Sequence, residues 1–230
     1  MKKLSLAAVL VAFFLTGCAH WHHVIIDSLG SGIQLQSKSF VVISGNSDND
    51  SSDLQFREFA RYVEKILAPA GFTPAVDARH ADVEIYLSYG VGEPQSHSYS
   101  YYEPVYGQTG SETYTYTTEN HVKGGTVSTS TTINTPEYGV TGYTEQTGVY
   151  TVYTKFIILD AYDAKTREPD NKLRHLWKTT LSCTGKASTL RKLFPVMVAA
   201  GSKYIGTNTI DDVSVDITSD SDEVKKLIGQ

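Results

Sequence analysis

The chain has 230 residues, of which 40% are hydrophobic, and a formal net charge of −5 at pH 7. This length is sufficient for one domain of ordinary size, or for one domain that carries an insertion. The acidic balance, with no block of Lys or Arg, argues against a nucleic-acid partner and against a polybasic membrane patch.

The first residues have the pattern of an export signal. Lys2 and Lys3 precede an apolar run over residues 4–15, which is too short to span a bilayer as a mature helix. The run ends in L-T-G-C, and this order resembles the lipobox of bacterial lipoprotein precursors. The resemblance implies that residues 1–17 are a lipoprotein signal peptide, cleaved before Cys18, whose thiol and new amine are acylated.

Acylation of Cys18 predicts a membrane anchor without a transmembrane helix, because two or more acyl chains give stable attachment. The next residue is Ala19 rather than Asp, which by resemblance to enterobacterial sorting implies the outer membrane, facing the periplasm. Cys183 is the second of the two cysteines and is then left without a partner for an intramolecular disulfide. Its place in an alternating run predicts a buried structural thiol.

Residues 18–38 are expected to be a lipidated tether that leads into the domain. Trp21 favours an interfacial segment at the level of the lipid headgroups. The neighbouring His20, His22 and His23 could instead hold a transition metal, but no carboxylate ligand lies nearby in the sequence. No metal site is therefore predicted.

The folded domain is expected over residues 39–230. It begins with F-V-V-I at 40–43, a continuous apolar run that is typical of a strand covered on both faces. A helix is predicted over residues 53–67, with Ser52 and Gln55 forming a capping box at its start. The apolar stripe of this helix consists of Phe56, Phe59, Val63, Ile66 and Leu67.

Alternating or continuous apolar runs predict the other strands of the domain, at residues 72–76, 82–89, 152–161, 175–185 and 213–217. A second helix is expected from Ser188 or Thr189 to Ile205, stopped by Gly206, and residues 220–228 form at most a short helix. The order βαββ–insertion–ββαβ predicts an α+β two-layer sandwich, in which two helices cover one mostly antiparallel sheet.

Residues 94–149 interrupt this pattern with Tyr, Thr, Ser and Gly in place of aliphatic residues. Ten of the 15 tyrosines of the chain lie between Ser96 and Tyr153. Low complexity of this kind is typical of disorder, but Tyr and Thr also favour strands. We therefore predict a protruding Tyr/Thr-rich β-hairpin over residues 111–134, with its turn at the K-G-G of 123–125.

Clusters of Tyr with small polar residues are also typical of binding surfaces, because Tyr offers a large contact area at low entropy cost. An envelope protein or a glycan is the expected partner, and the alternative is an exposed arm with no dedicated ligand. A membrane-inserting hairpin, as in the lipoprotein pores that secrete curli, is a third alternative, although residues 114–120 are polar for that role. The candidate binding residues are Tyr99, Tyr101, Tyr102, Tyr106, Tyr114 and Tyr116.

The sequence contains no catalytic motif of the G-x-S-x-G, H-E-x-x-H or Walker type. Asp160 could pair with Asp163, or Glu84 with a residue of another strand, to form two adjacent carboxylates. The later histidines are spread over predicted loops, the hairpin and a strand edge, at His80, His97, His121 and His175. The sequence therefore predicts neither an enzyme nor a cofactor.

Four features together resemble the uncharacterised bacterial envelope lipoproteins grouped as a domain of unknown function. They are the lipobox, F-V-V-I, Y-L-S-Y-G at 86–90 and L-W-K-T at 176–179. The similarity runs over about residues 39–217, implies an α/β envelope domain and provides no catalytic residues.

We expect an outer-membrane-anchored periplasmic lipoprotein that acts as a non-enzymatic binding or envelope-assembly module. The sheet and the Tyr-rich insertion would provide its contact surfaces. The alternative is a periplasmic hydrolase of envelope polymers, which a cleft that gathers a histidine with Asp160 or Glu84 would favour.

Overall fold

The computed structural model describes three stretches of the chain, residues 21–33, 38–46 and 52–229. Within the third stretch, the structure describes the backbone of Val122 but not its side chain. The expected signal peptide and the acylation site Cys18 precede the first of these stretches, so they lie outside the described residues. Within the three stretches, none of the helices combines the length and the apolar character needed to cross a membrane.

The chain divides into two compact units. The unit Ser96–Thr151 is called the ribbon. The other unit is called the body, and it consists of the described residues before and after the ribbon. The strands are β1 (Trp21–Gly30), β2 (Ser39–Ser44), β3 (Thr73–Pro74), β4 (Val83–Val91), β5 (Gln95–Val122), β6 (Gly125–Arg167), β7 (Leu173–Gly185) and β8 (Val213–Thr218). The α-helices are α1 (Leu54–Leu67), α2 (Phe194–Gly201) and α3 (Asp222–Ile228).

The strands form one mixed sheet in the order β3-β2-β4-β6-β7-β1-β8, and β5 pairs with β6. β2 runs parallel to β3 and β4, whereas β4–β6, β6–β7, β7–β1 and β1–β8 are antiparallel pairs. The three helices contact one another and pack against the sheet. The predicted α+β class is confirmed, but the element order differs, because β1 adds a strand to the predicted series. The short helix considered for residues 220–228 is present as α3.

β1 corrects the prediction of a tether over residues 18–38. It lies between β7 and β8 in the sheet, and its Val24 and Ile26 are fully buried. Ser28 continues the buried face, where its Oγ lies 2.7 Å from Oγ1 of Thr179. The sequence of β1 does not show this alternation, because the apolar residues Trp21, Ile25 and Leu29 lie at exposed positions.

The core lies between the helices and the sheet and is organised around aromatic rings. Phe59 of α1 stacks on Phe194 of α2, with ring centroids 3.8 Å apart and planes inclined by 6°. The ring of Tyr89, from β4, packs edge-on against Phe59 at 4.8 Å. The apolar stripe predicted for the first helix therefore faces the core, and contact between α1 and α2 closes it.

Both predicted helices are present, but their ends differ from the predictions. The N-cap of α1 is Asp53 rather than Ser52, and its carboxylate accepts the backbone N–H of Phe56 at 2.8 Å. α2 is shorter than the predicted span 188–205. It begins in the turn that contains Pro195, because proline has no N–H to donate and is tolerated only in the first turn.

The ribbon consists of β5 and the part of β6 that precedes Val152. Its turn lies at residues 123–124, where Gly124 has a φ of 119°, a value that favours glycine. Cross-strand hydroxyl contacts include Thr117 Oγ1 to Ser130 Oγ at 3.0 Å. The strands extend well beyond the predicted range 111–134, and no described side chain in the ribbon is buried.

Candidate functional site

The tyrosines predicted as binding residues all lie on β5, in the ribbon. They are Tyr99, Tyr101, Tyr102, Tyr106, Tyr114 and Tyr116, and their exposed fractions range from 46% to 72%. Three further exposed tyrosines, which the sequence did not single out, lie on β6 at Tyr138, Tyr143 and Tyr150. They were missed because the predicted hairpin ended at residue 134, so this segment had no assigned strand.

The tyrosines form local clusters along the ribbon instead of one pocket. The ring centroid of Tyr99 lies 5.9 Å from that of Tyr101 and 6.0 Å from that of Tyr150. Tyr114 donates a hydrogen bond to the carboxylate of Glu112, and this bond raises the pKa of Tyr114. Tyr99 and Tyr114 are separated by roughly 50 Å of strand, at about 3.3 Å per residue, so a ligand would contact only part of the set.

A second candidate site lies in the body, on the face of the sheet turned away from the core. Alternation along β4 buries Ile85 and turns Glu84 and Tyr86 to the other face. The register places Tyr86 opposite Asp160 and Glu84 opposite Tyr162. We call the resulting group the sheet-face cluster, which consists of Glu84, Tyr86, Asp160, Tyr162 and His175.

The ring of Tyr162 connects the two sides of the sheet-face cluster. It packs edge-on against Tyr86, with centroids 5.6 Å apart, and stacks on His175 at 4.7 Å. His175 Nε2 lies 3.0 Å from Oδ1 of Asp160, and the hydroxyl of Tyr86 donates to Oε2 of Glu84 at 2.9 Å. Tyr86, Asp160 and Tyr162 line a groove of about 420 Å³.

Burial raises the pKa of Tyr86, and the hydrogen bond to Glu84 raises it further. Burial also raises the pKa of Tyr162, with a further contribution from the negative charge of Asp160. Both phenols are therefore protonated at neutral pH and serve as hydrogen-bond donors. Together, the donors, the carboxylates and the aromatic faces are suited to a ligand that is rich in hydroxyl groups.

The sheet-face cluster brings His175 and Asp160 together, as the hydrolase alternative requires. Ser88 lines the same groove, but it is aligned with Ile158, whereas His175 is aligned with Tyr162. The two positions are four residues apart along β6, roughly 13 Å. Ser88 is therefore out of hydrogen-bond reach of His175, and this serine does not complete a triad.

A comparison against protein families gives a match over more than half of the chain. Residues 34–200 match the family described as "Domain of unknown function (DUF4136)". The chain belongs to this family. The matched residues include α1 and the strands from β2 to β7, whereas β1, β8 and α3 lie outside the DUF4136 match although they belong to the same body.

No curated protein matches the chain. Among solved structures, a PDZ domain protein from Parabacteroides distasonis matches with 12% sequence identity and a TM-score of 0.39. The match covers 93% of this chain and 42% of that one, so the chain spans less than half of that protein.

The other carboxylate and histidine candidates of this DUF4136 chain have separate partners. Asp163 is buried and accepts a hydrogen bond from Nη2 of Arg174 at 2.5 Å, whereas Asp160 contacts His175, so the two carboxylates of the suggested pair have different partners. His80 Nδ1 lies 2.7 Å from a carboxylate oxygen of Asp77. His97 and His121 both belong to the ribbon.

His22 and His23 do not converge on one point. Nε2 of His22 lies 2.8 Å from the hydroxyl of Ser219, and Nδ1 of His23 lies 2.8 Å from the carboxylate of Asp216. Neighbouring residues of a strand point to opposite faces. Over the described stretches, no three His, Cys, Asp or Glu side chains are grouped so that they could hold a metal ion.

Proposed function

We propose that the protein is a lipid-anchored lipoprotein of the outer membrane, facing the periplasm, and that it acts as a non-enzymatic binding or envelope-assembly module. The observation that carries the proposal is the ribbon. It exposes nine tyrosines and buries none of its described side chains. All buried residues of the hydrophobic core lie in the body instead.

A ribbon of this kind is not explained by the stability of the fold. An isolated two-stranded hairpin is marginally stable in water, because it has no hydrophobic face to bury. Its outer edges also carry backbone N–H and C=O groups that can pair with another strand. Contact with a partner would bury tyrosine rings and satisfy these groups, which supports a role of the ribbon as a contact surface for an envelope protein or a glycan.

The sheet-face cluster supports a glycan as one class of ligand. The rings of Tyr86 and Tyr162 can pack against the apolar faces of sugar rings. The carboxylates of Glu84 and Asp160 accept hydrogen bonds from hydroxyl groups, and the phenol of Tyr162 donates one, whereas that of Tyr86 donates to Glu84. These stacking and hydrogen-bonding contacts hold a sugar without breaking any of its bonds, which supports binding over catalysis.

The proposal is tested by capture of envelope partners with the full chain and with a variant whose ribbon is replaced by a short Gly/Ser turn. We expect the deletion to abolish capture of the specific partner. The body should still unfold cooperatively within a few degrees of the full chain, because the deletion removes no core residue. Tyr204→Phe is the matched control, because it removes a tyrosine hydroxyl from the body, outside both the ribbon and the sheet-face cluster. Unchanged capture after the deletion would show that the ribbon is not the binding element.

The second candidate function, hydrolysis of envelope polymers, is favoured by the contact of His175 with Asp160. Incubation with purified peptidoglycan separates the two functions. Binding without release of soluble fragments is the result expected from the leading proposal. Release of fragments by the native chain, and its loss in His175→Ala, would favour the hydrolase.

A further inference from the structure

Lys155 is a buried cation in the core-facing layer of β6. Its side chain is 1% exposed, and its Nζ donates hydrogen bonds to the carbonyl oxygens of Tyr153 at 2.9 Å and Gly185 at 3.0 Å. An ammonium group has three N–H donors, so two carbonyls leave one donor available. Among the described residues, no Asp or Glu forms an ion pair with Lys155.

Lys155 lines a cavity of about 490 Å³ in the body. Two other lysines, Lys186 and Lys192, line the same cavity, and no Asp or Glu does. Asp216 does not line the cavity, but its carboxylate contacts His23, one of the two histidines that do. In a chain with a formal net charge of −5, this cavity is a local concentration of positive charge.

Cys183, which lies beside Lys155 at this cavity, does not neutralise the positive charge of the lysine. Burial lowers the pKa of Lys155, because removal from water disfavours the charged form. Cys183 also lines the cavity, but burial raises the pKa of its thiol, so the sulfur carries no negative charge at neutral pH. A buried ammonium without a counterion is costly, and an anion from outside the chain would offset that cost.

We propose that this cavity binds a phosphate-type oxyanion, with Lys155 as the buried donor and Lys186 and Lys192 as additional positive charges. Trp21 and Leu193 line the cavity as well and offer apolar contact to the rest of a larger ligand. The phosphate group could come from a free phosphate compound or from an anionic lipid headgroup. The proposal does not depend on the lipid anchor or on the function of the ribbon.

Titration of the full chain with inorganic phosphate, at constant ionic strength and with chloride as the reference anion, tests the site. We expect saturable binding of one phosphate per chain. Lys155→Met and Lys192→Gln should each weaken it about tenfold or more, since the first removes the buried donor and the second removes a positive charge that lines the cavity. The matched control is Lys172→Gln, which removes an exposed lysine that pairs with Asp170 and does not line the cavity.

Sedimentation with vesicles distinguishes the two sources of the phosphate group. The full chain with Cys18→Ser is used, so that no acyl chain contributes to binding. Preferential binding to phosphatidylglycerol over phosphatidylcholine vesicles, weakened by Lys192→Gln, assigns the site to lipid headgroups. Binding of inorganic phosphate without this preference assigns it to free phosphate compounds.

The proposal is overturned if neither inorganic phosphate nor phosphatidylglycerol binds above its reference. It is also overturned if Lys172→Gln weakens binding as much as Lys192→Gln does. Circular dichroism establishes whether Lys155→Met folds. If that variant does not fold, Lys192→Gln, which keeps the buried lysine, decides the question by itself.

Discussion

The carboxylate of Asp163 is held by several donors at a position that is 7% exposed. Burial favours a higher pKa for this group. The backbone N–H of Lys165, the guanidinium of Arg174 and the hydrogen bonds from Thr166 outweigh burial and hold the pKa of Asp163 below its usual value. The ionised carboxylate therefore holds the irregular end of β6, where the register with β7 shifts after Asp163, against β7.

Because the folded-state pKa of Asp163 lies below its unfolded value of about 3.9, its stabilisation is present above that value and is lost as pH falls through the folded-state pKa. Asp163→Asn should lower the free energy of unfolding at pH 7 by about 1–3 kcal/mol. The difference from the native chain should shrink as the pH falls from 5 toward 2. Urea unfolding at several pH values measures both effects.

Asp170→Asn is the control for this pH dependence, because Asp170 is an exposed carboxylate that pairs with Lys172. We expect a change near zero at pH 7, as is typical of exposed ion pairs. If the Asp163→Asn difference were the same at pH 7 and pH 2, the ionised state of Asp163 would not be the source of the stabilisation.

At the scale of elements, the packing of α1 on α2 holds the helical layer together. The stacked rings of Phe59 and Phe194 are both fully buried or nearly so. Each helix contributes one ring to the contact, and Tyr89 connects the pair to the sheet. The stability of the layer therefore depends on a contact between residues that are far apart in the sequence.

Phe194→Ala should lower the free energy of unfolding by about 3–5 kcal/mol, because it removes a buried ring and leaves a cavity. Denaturant unfolding measured by circular dichroism gives this value. Leu54→Ala, on the same helical layer but 78% exposed, should change it by less than about 0.5 kcal/mol. Similar losses in the two variants would contradict the assignment of the core to this contact.

At the scale of the whole molecule, the two units have different physical characters. The body contains the hydrophobic core, whereas the ribbon is an exposed two-stranded sheet rich in tyrosine. The stability of the fold therefore comes from the body, and in the proposed function the ribbon provides the contact surface. Attachment to a membrane, in the proposed function, depends on neither unit but on the acylated cysteine that precedes them.

Cys18→Ser should release the protein from the membrane fraction, because acyl chains provide the proposed anchor. Fractionation of cells that express the native chain or the variant measures the distribution. The matched control is Cys183→Ser, which removes the buried cysteine of the body and should leave the membrane association unchanged. A Cys18→Ser protein that still fractionates with membranes would contradict the lipid anchor.

Several elements could be predicted from the sequence because burial leaves a local periodic pattern. The helix over residues 53–67 and the alternating strand β4 were both predicted within one or two residues of their ends. The buried state of Cys183 followed from the same kind of alternation and is confirmed. Of the tyrosines of the insertion, only Tyr114 and Tyr116 were predicted to lie on a strand, because the predicted hairpin covered residues 111–134 and the length of the ribbon was not predicted.

The sequence by itself thus determined the α+β class, the core-facing stripes and a tyrosine-rich strand, because each depends on neighbours within a few positions. Only the tertiary structure decided that β1 enters the sheet, that His175 and Asp160 meet, and that Lys155 faces a cationic cavity. These facts depend on the register between strands that are distant along the chain, such as the contact of Ser28 with Thr179. Local periodicity reports which face of a strand is buried, but it contains no information on which strand lies beside it.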